Sequence, residues 1–199
     1  MTMRQNTKSW KQVERMNPAT TEDIHDLILR CEGNLKLQVC GNIIRVLANT
    51  GLRVEELKSL RFTDIDPSGE WLHIARPRGK GVGARVVPIF SRTHVALLDL
   101  HGMNPHSAFI LGDYPRTRID QTIRILKRLV PQFGRTRLWN CSVRMNFMCR
   151  LHLAGVAAGI LKYLIGHESL SDALNLPSLT REQKLQVVRR TIERFLNEL

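Results

Sequence analysis

Between Trp71 and Phe90 the apolar pattern changes period, and this change constrains the fold of the chain more than any other feature. The segment WLHIARPRGKGVGARVVPIF carries β-branched residues on both sides of a glycine-rich, basic centre, with a spacing close to two. On either side of it, apolar residues recur at helical spacing. The pattern predicts a small antiparallel sheet at about 71–90, set into a mostly helical domain of class α+β.

The helices announce themselves through their ends as well as their faces. TTEDIHDLILRCEG has hydroxyl residues in the capping position, acids in the first turn, and Ile24, Leu27 and Ile28 on one side before Gly33. LKLQVCGNIIRVLANTG places Leu35, Val39, Ile43, Val46 and Leu47 on one face and stops at Gly51. VEELKSLRFTDID follows as a shorter helix, and helical spacing returns at 92–100, 116–130, 141–154 and 157–165. A last amphipathic helix over 180–199 opens on a capping box of Thr180 and Gln183 and aligns Leu185, Val188, Ile192, Phe195 and Leu199. Residues 1–18 show no periodicity and end in Asn17-Pro18, which reads as a flexible basic lead. Residues 19–199 then form a single domain, long enough to bury its own core.

Charge narrows the partner. Thirty Lys and Arg against eighteen Asp and Glu give a net charge of +12, which favours a polyanion, nucleic acid ahead of an anionic membrane. No apolar run approaches the roughly 20 residues of a membrane span, and the start of the chain lacks the pattern of a secretory signal, so a cytoplasmic location is expected. Cys31, Cys40, Cys141 and Cys149 form neither a disulfide framework nor a metal-ligand spacing, and no metal or cofactor is expected.

Three stretches carry candidate chemistry. In NTGLRVEELKSL, Arg53 emerges from a turn after Gly51, with Glu56 on the next helix able to orient it. A guanidinium suits a phosphodiester because its planar fork donates two hydrogen bonds and keeps its charge at any working pH. In RPRGKGVGARVVPIF, Lys80 sits between Gly79 and Gly81 at a hairpin tip flanked by Arg76, Arg78 and Arg85, where small residues let backbone approach a phosphate. In CSVRMNFMCRLHLAGVAAGILKYLIGHES, Arg144 opens a helix that breaks at Ala154-Gly155-Val156, and a second helix ends at Leu164-Ile165-Gly166-His167.

Taken in order, these stretches resemble the tyrosine recombinase, or phage integrase, family: its T-G-L-R-x-x-E-L box, its G-K-G hairpin, its H-x-L-R-H helix start and its L-L-G-H box. The resemblance covers roughly residues 18–180. It implies that Arg53 and Arg144 clasp a scissile phosphate in double-stranded DNA, that Lys80 acts as general acid, and that His167 bonds a phosphate oxygen. Arg78 and Arg85 join them as expected DNA contacts.

The sequence departs from that pattern at three places. Cys141 stands where the family has its first histidine and Met145 where a second is expected. The family's nucleophilic tyrosine falls near Leu176, where this chain reads Asn175-Leu176-Pro177. Its two tyrosines are Tyr114, in a turn, and Tyr163, inside a helix, and Ser169, Ser171 and Ser178 have no evident base beside them. The reading is a DNA-binding recombinase-like domain that cannot cleave DNA alone. Two alternatives stand beside it: an active recombinase with a displaced or partner-supplied nucleophile, and a helix-turn-helix regulator using residues 143–167 with Arg150 and Lys162 toward DNA. The last helix is a candidate for self-association or for docking on a partner recombinase, with packing on its own domain as the competing outcome.

Overall fold

A computed structural model describes residues 19–34, 37–75, 84–129 and 139–195, leaving aside the side chains at 126, 127, 139–141 and 195. The lead at 1–18 and the hairpin tip with Arg76, Arg78 and Lys80 lie outside the described residues, as does the side chain of Cys141.

Helix α1 (Thr21–Glu32) begins where Thr20 and Asp23 exchange side-chain to backbone hydrogen bonds, both 3.1 Å, and it buries Ile24, Leu27, Ile28 and Cys31. Helix α2 (Gln38–Thr50) is the axis of the domain, because α1 and three later helices, α4 (Ser91–Gly102), α5 (Pro115–Leu129) and α6 (Trp139–Leu153), all pack on it. The sequence pattern gave α2 one apolar face. With neighbours all round, every residue from Cys40 to Thr50 is buried, and its polar residues find partners there. Asn42 donates to Asp99 at 3.3 Å, Asn49 donates to Thr93 at 3.2 Å, and Arg45 pairs with Glu32.

Helix α3 (Val54–Ser59) and a single 3-10 turn (Phe62–Asp64) lead into the sheet, in which β1 (Trp71–Ile74) pairs antiparallel with β2 (Arg85–Pro88), Trp71 opposite Pro88 and Ile74 opposite Arg85. Strand β1 alternates as a half-exposed strand should at Leu72, His73 and Ile74. Strand β2 is buried at all four positions, covered by α7 (Ala158–Leu164) and α9 (Arg181–Phe195). A one-turn helix, α8 (Leu170–Ala173), joins α7 to α9 and has no counterpart in the periodicity reading. The outcome is the expected mostly helical α+β domain with one small antiparallel sheet.

Helix α9 starts at the anticipated box, Gln183 accepting the Thr180 N–H at 2.8 Å and Thr180 the Gln183 N–H at 3.3 Å. Its face seats on its own domain. Val188 and Ile192 are buried, and Arg189 donates to the carbonyls of Glu70 at 2.9 Å and Ile89 at 3.0 Å while lying over the rings of Phe90 and Trp71. Among the described residues no helix is long and apolar enough to cross a membrane.

Candidate functional site

The site begins with a helix stop. Gly51 closes α2 in the left-handed conformation, φ 64°, its N–H bonding the Leu47 carbonyl at 3.1 Å. A Cβ at this position would lie 2.5 Å from the Phe147 ring on α6, so glycine is required twice, by its backbone and by its neighbour. Two residues later Arg53 occupies the position before α3 in extended conformation. Glu56, at the third position of α3, accepts the Arg53 N–H at 2.7 Å. One short sequence thus ends one helix, starts another, and points a guanidinium and a carboxylate at the same place.

Three guanidinium groups from three distant segments share that carboxylate. Glu56 receives Arg53 at 3.2 Å, Arg85 at 2.8 and 2.9 Å in a two-pronged pair, and Arg144 at 3.9 Å. Backbone carbonyls add further contacts. Arg144 donates to Gly51 at 2.7 Å and to Ile165 at 2.8 Å; Arg53 also reaches Ile165, at 3.3 Å, and the Arg85 Nε bonds Leu164 at 2.7 Å. Leu164 and Ile165 lie at the C-terminal end of α7, whose last carbonyls carry partial negative charge and lack helical donors. The helix end and one carboxylate therefore hold three cations together, with positive charge in excess.

Burial separates the three. The side chain of Arg53 is 33% exposed and that of Arg144 12%, whereas Arg85 is 1% exposed and lies behind them on Glu56. Arg85 is not on the surface where sequence reading set it as a DNA contact. The Leu164 carbonyl and the buried Glu56 carboxylate draw it inward, and it supports the other two. Burial works to raise the pKa of Glu56, but the hydrogen bonds and charge of Arg85, the Arg53 N–H and the charge of Arg144 outweigh it and leave the carboxyl below its usual range.

His167 follows Gly166, which turns the chain out of α7 at φ 74° while the His167 N–H bonds the Lys162 carbonyl at 2.7 Å. Its imidazole is exposed beside the arginines. Partial burial and the charges of Arg144, Arg53 and Arg85 lower its pKa, so it is held neutral more firmly than an isolated histidine. A cleft of about 400 Å³ opens beside His167, lined by Ala84, Arg85, Tyr163, His167, Ser169 and Arg181 among others but by neither Arg53 nor Arg144. Two larger hollows, one beside Leu29 and Val95 and one beside Phe62 and Leu98, contain none of Arg53, Arg85, Arg144 and His167.

Neither tyrosine stands ready at this cleft. The Tyr163 side chain, in a residue 3% exposed, donates to the Val86 carbonyl at 2.8 Å and accepts the Val86 N–H at 3.1 Å, capping the outer edge of β2. Burial raises its pKa despite the bond to Val86 and the nearby Arg181 and Arg85 charges. Tyr114 is 75% exposed, ahead of α5. Ser169 spends its hydroxyl on Asp172, at 2.7 Å, as the cap of α8. Tyr163→Phe is expected to cost about 1–3 kcal/mol in urea denaturation by leaving two backbone groups of a buried strand unpaired. An unchanged midpoint would mean that the hydroxyl is not holding the strand.

The structure brings Arg53, Arg144 and His167 together from the sequence-predicted set and withdraws Arg85; Lys80 and Arg78 fall outside the described residues. Sequence reasoning missed the Arg85–Glu56 pair and the Tyr163 clamp. Arg150, which the helix-turn-helix reading would set on a DNA groove, instead donates to the Ala48 carbonyl at 2.5 Å in the last turn of α2, and burial lowers its pKa to about 10. Lys162 pairs with Glu168 at 2.5 Å.

Comparison with known proteins identifies a family and a shared fold. The model of the phage integrase family matches residues 10–175. A tyrosine recombinase of Pseudothermotoga lettingae is 25% identical over 187 residues, 89% of this chain and 64% of that protein. The tyrosine recombinase XerC of Myxococcus xanthus is 28% identical over 161 residues, 73% of this chain and 52% of that one. The chain thus spans about half to two thirds of the length of these curated relatives. Among solved structures, the Tn1549 transposon integrase in complex with circular-intermediate DNA superimposes with a TM-score of 0.61 at 21% identity, over 86% of this chain and 64% of that one. XerA recombinase gives 0.58 at 18% identity, over 86% and 63%. These two likenesses are of fold.

Proposed function

The chain belongs to the phage integrase family, and from that premise we propose that it binds duplex DNA by holding a backbone phosphate between Arg53, Arg144 and His167, without cleaving the strand on its own. One observation carries the reading: three guanidinium groups converge on the single carboxylate of Glu56, so the exposed side of the cluster is cationic and pre-organised. Fixed donors of this kind are matched to a phosphodiester, whose charge lies on its non-bridging oxygens. Lys80 would be the general acid toward a leaving oxygen, and Arg78 a further backbone contact. Arg85 acts on the phosphate only through Glu56 and the carbonyl of Leu164.

The lack of unaided cleavage rests on the residues after His167. No tyrosine occurs between Glu168 and Leu199, Cys141 supplies a thiol in place of an imidazole, and Tyr163 is bound to Val86. Packing of α9 on its own sheet favours a domain that engages DNA without exchanging this helix with a partner. The capping contact of Arg150 weighs against a helix-turn-helix mode.

The test has two arms. Affinity for duplex DNA should fall with salt at about −0.9 per phosphate neutralised, and Arg144→Ala should make the slope shallower by about one. An unchanged slope would remove Arg144 from the phosphate. Denaturing quench after incubation with supercoiled DNA should give no protein-linked strand; an adduct lost in Tyr114→Phe would establish an active recombinase with a displaced nucleophile.

His167 predicts a pH dependence of fixed sign. A phosphate anion beside it favours the imidazolium, so the pKa in the complex lies above the depressed value of the unbound domain, and binding takes up a proton. At constant ionic strength, affinity should rise as pH falls from about 7.5 to 5.5, the range in which histidine titrates. His167→Ala should flatten that rise. Equal pH profiles for both proteins would place His167 away from the phosphate.

A further inference from the structure

Helix α6, which presents Arg144 to the cluster, is held on its other side by the point where the chain enters the domain. The Ala19 N–H donates to the Ser142 Oγ at 2.6 Å, and the Ala19 carbonyl accepts from the Asn146 Nδ2 at 3.0 Å; both bonds are buried and span more than half of the sequence. The same amide nitrogen reaches the Thr21 Oγ1 at 3.3 Å. Ser142 and Asn146 are one turn apart on one face, and Arg144, midway between them, projects about 200° around the helix at 100° per residue. There it meets the carbonyls of Gly51 and Ile165. The Asn146 Oδ1 is buried with no hydrogen-bond partner among the described residues, a desolvation cost that an apolar residue of the same size would avoid. The amide is useful here for its donor.

We propose that Ser142 and Asn146 are positioning residues: by gripping both backbone groups of Ala19 they fix the rotation of α6 about its axis, and with it the place of the Arg144 guanidinium, tying the segment before residue 19 to the phosphate site. Two bonds one turn apart resist rotation as a single bond cannot. A guanidinium about 6 Å from a helix axis moves about 1 Å for a turn of about 10°, enough to carry an N–H···O contact with a phosphate oxygen out of hydrogen-bond range. A pull on the chain ahead of Ala19 therefore acts directly on the helix that carries Arg144. The consequence for DNA rests on Arg144 holding a phosphate, as proposed above; the clamp itself does not.

The test uses the full chain with Ser142→Ala and Asn146→Leu, singly and together, and with Ser142→Thr, which keeps the hydroxyl. The first readout is the Arg144 Nε–H resonance, assigned by its loss in Arg144→Lys. It should shift or broaden in the Ala and Leu variants and return toward its wild-type position in Ser142→Thr. The second is the salt dependence of DNA binding, which should become shallower by about one in the double variant, with no further change when Arg144→Ala is added. An unmoved resonance overturns the clamp, as does a change in slope that adds fully to that of Arg144→Ala. If Arg144→Ala alone leaves the slope unchanged, the phosphate reading fails and the resonance still decides the clamp. Should the double variant not fold, the Ser142→Ala resonance decides it.

Discussion

Glu56→Gln is expected to destabilise the domain by about 3–5 kcal/mol, the usual cost of removing one partner from a buried ion pair. The carboxylate is 2% exposed and compensates Arg85, which is 1% exposed and holds it with two bonds. Glutamine keeps the shape and removes the charge, so the penalty falls on a guanidinium left buried without its counter-ion. Arg53 loses its anchor at the same time, so the proposed grip on DNA should weaken along with the fold. Urea denaturation at pH 7 should show the loss, whereas Glu55→Gln, at the exposed neighbouring position, should stay within about 0.5 kcal/mol. The folded-state pKa of Glu56 is depressed, so its contribution is fully present above the unfolded value of about 4.3 and is lost as pH falls through the folded value. The wild-type and Gln proteins should therefore draw together in stability as pH falls below the unfolded value and through the depressed folded one. A constant gap down to acid pH would show that charge is not what the pair contributes.

Gly51→Ala is expected to cost about 2–5 kcal/mol, combining the strain of a left-handed alanine with overpacking of a filled core. The new methyl would meet the Phe147 ring at 2.5 Å, and Phe147 is one of the largest fully buried side chains. Because the Gly51 carbonyl also receives Arg144, relief of the clash by backbone movement shifts the cation cluster as well. Phe147→Leu should recover part of the loss in the double variant, since it opens space beside the methyl. Strict additivity of the two substitutions would mean that the ring is not the obstacle and that backbone strain carries the whole cost.

Which parts of this site could be read from residues follows from the distance over which their causes act. The Thr20 and Asp23 cap, the Gly51 stop, the Thr180 and Gln183 box and the Arg53 and Glu56 pair all join residues three or four apart or mark one backbone position. Their chemistry is complete within one helical turn, so the pattern shows it directly. The basic hairpin showed its composition equally well but not its orientation. Arg85 looked like its flanking basic neighbours, because nothing near it in sequence reveals that Glu56 and the end of α7 wait behind it. Likewise, the pattern of α2 marks its most apolar face and is silent about the helices that bury the others.

The sequence by itself determined the helical α+β class, the boundaries of the longer helices to within a few residues, the family resemblance, and the identity of Arg53, Arg144 and His167 as the groups to watch. Only the tertiary structure decided that Arg85 supports the cluster from inside, that Tyr163 holds the edge of β2, that α9 covers its own sheet, and that Ala19 is bound to the helix carrying Arg144. The reason is physical. Local order depends on backbone preferences and on neighbours within a turn, which the sequence lists in order, whereas a buried side chain takes its role from groups that meet it only once the core has closed around them.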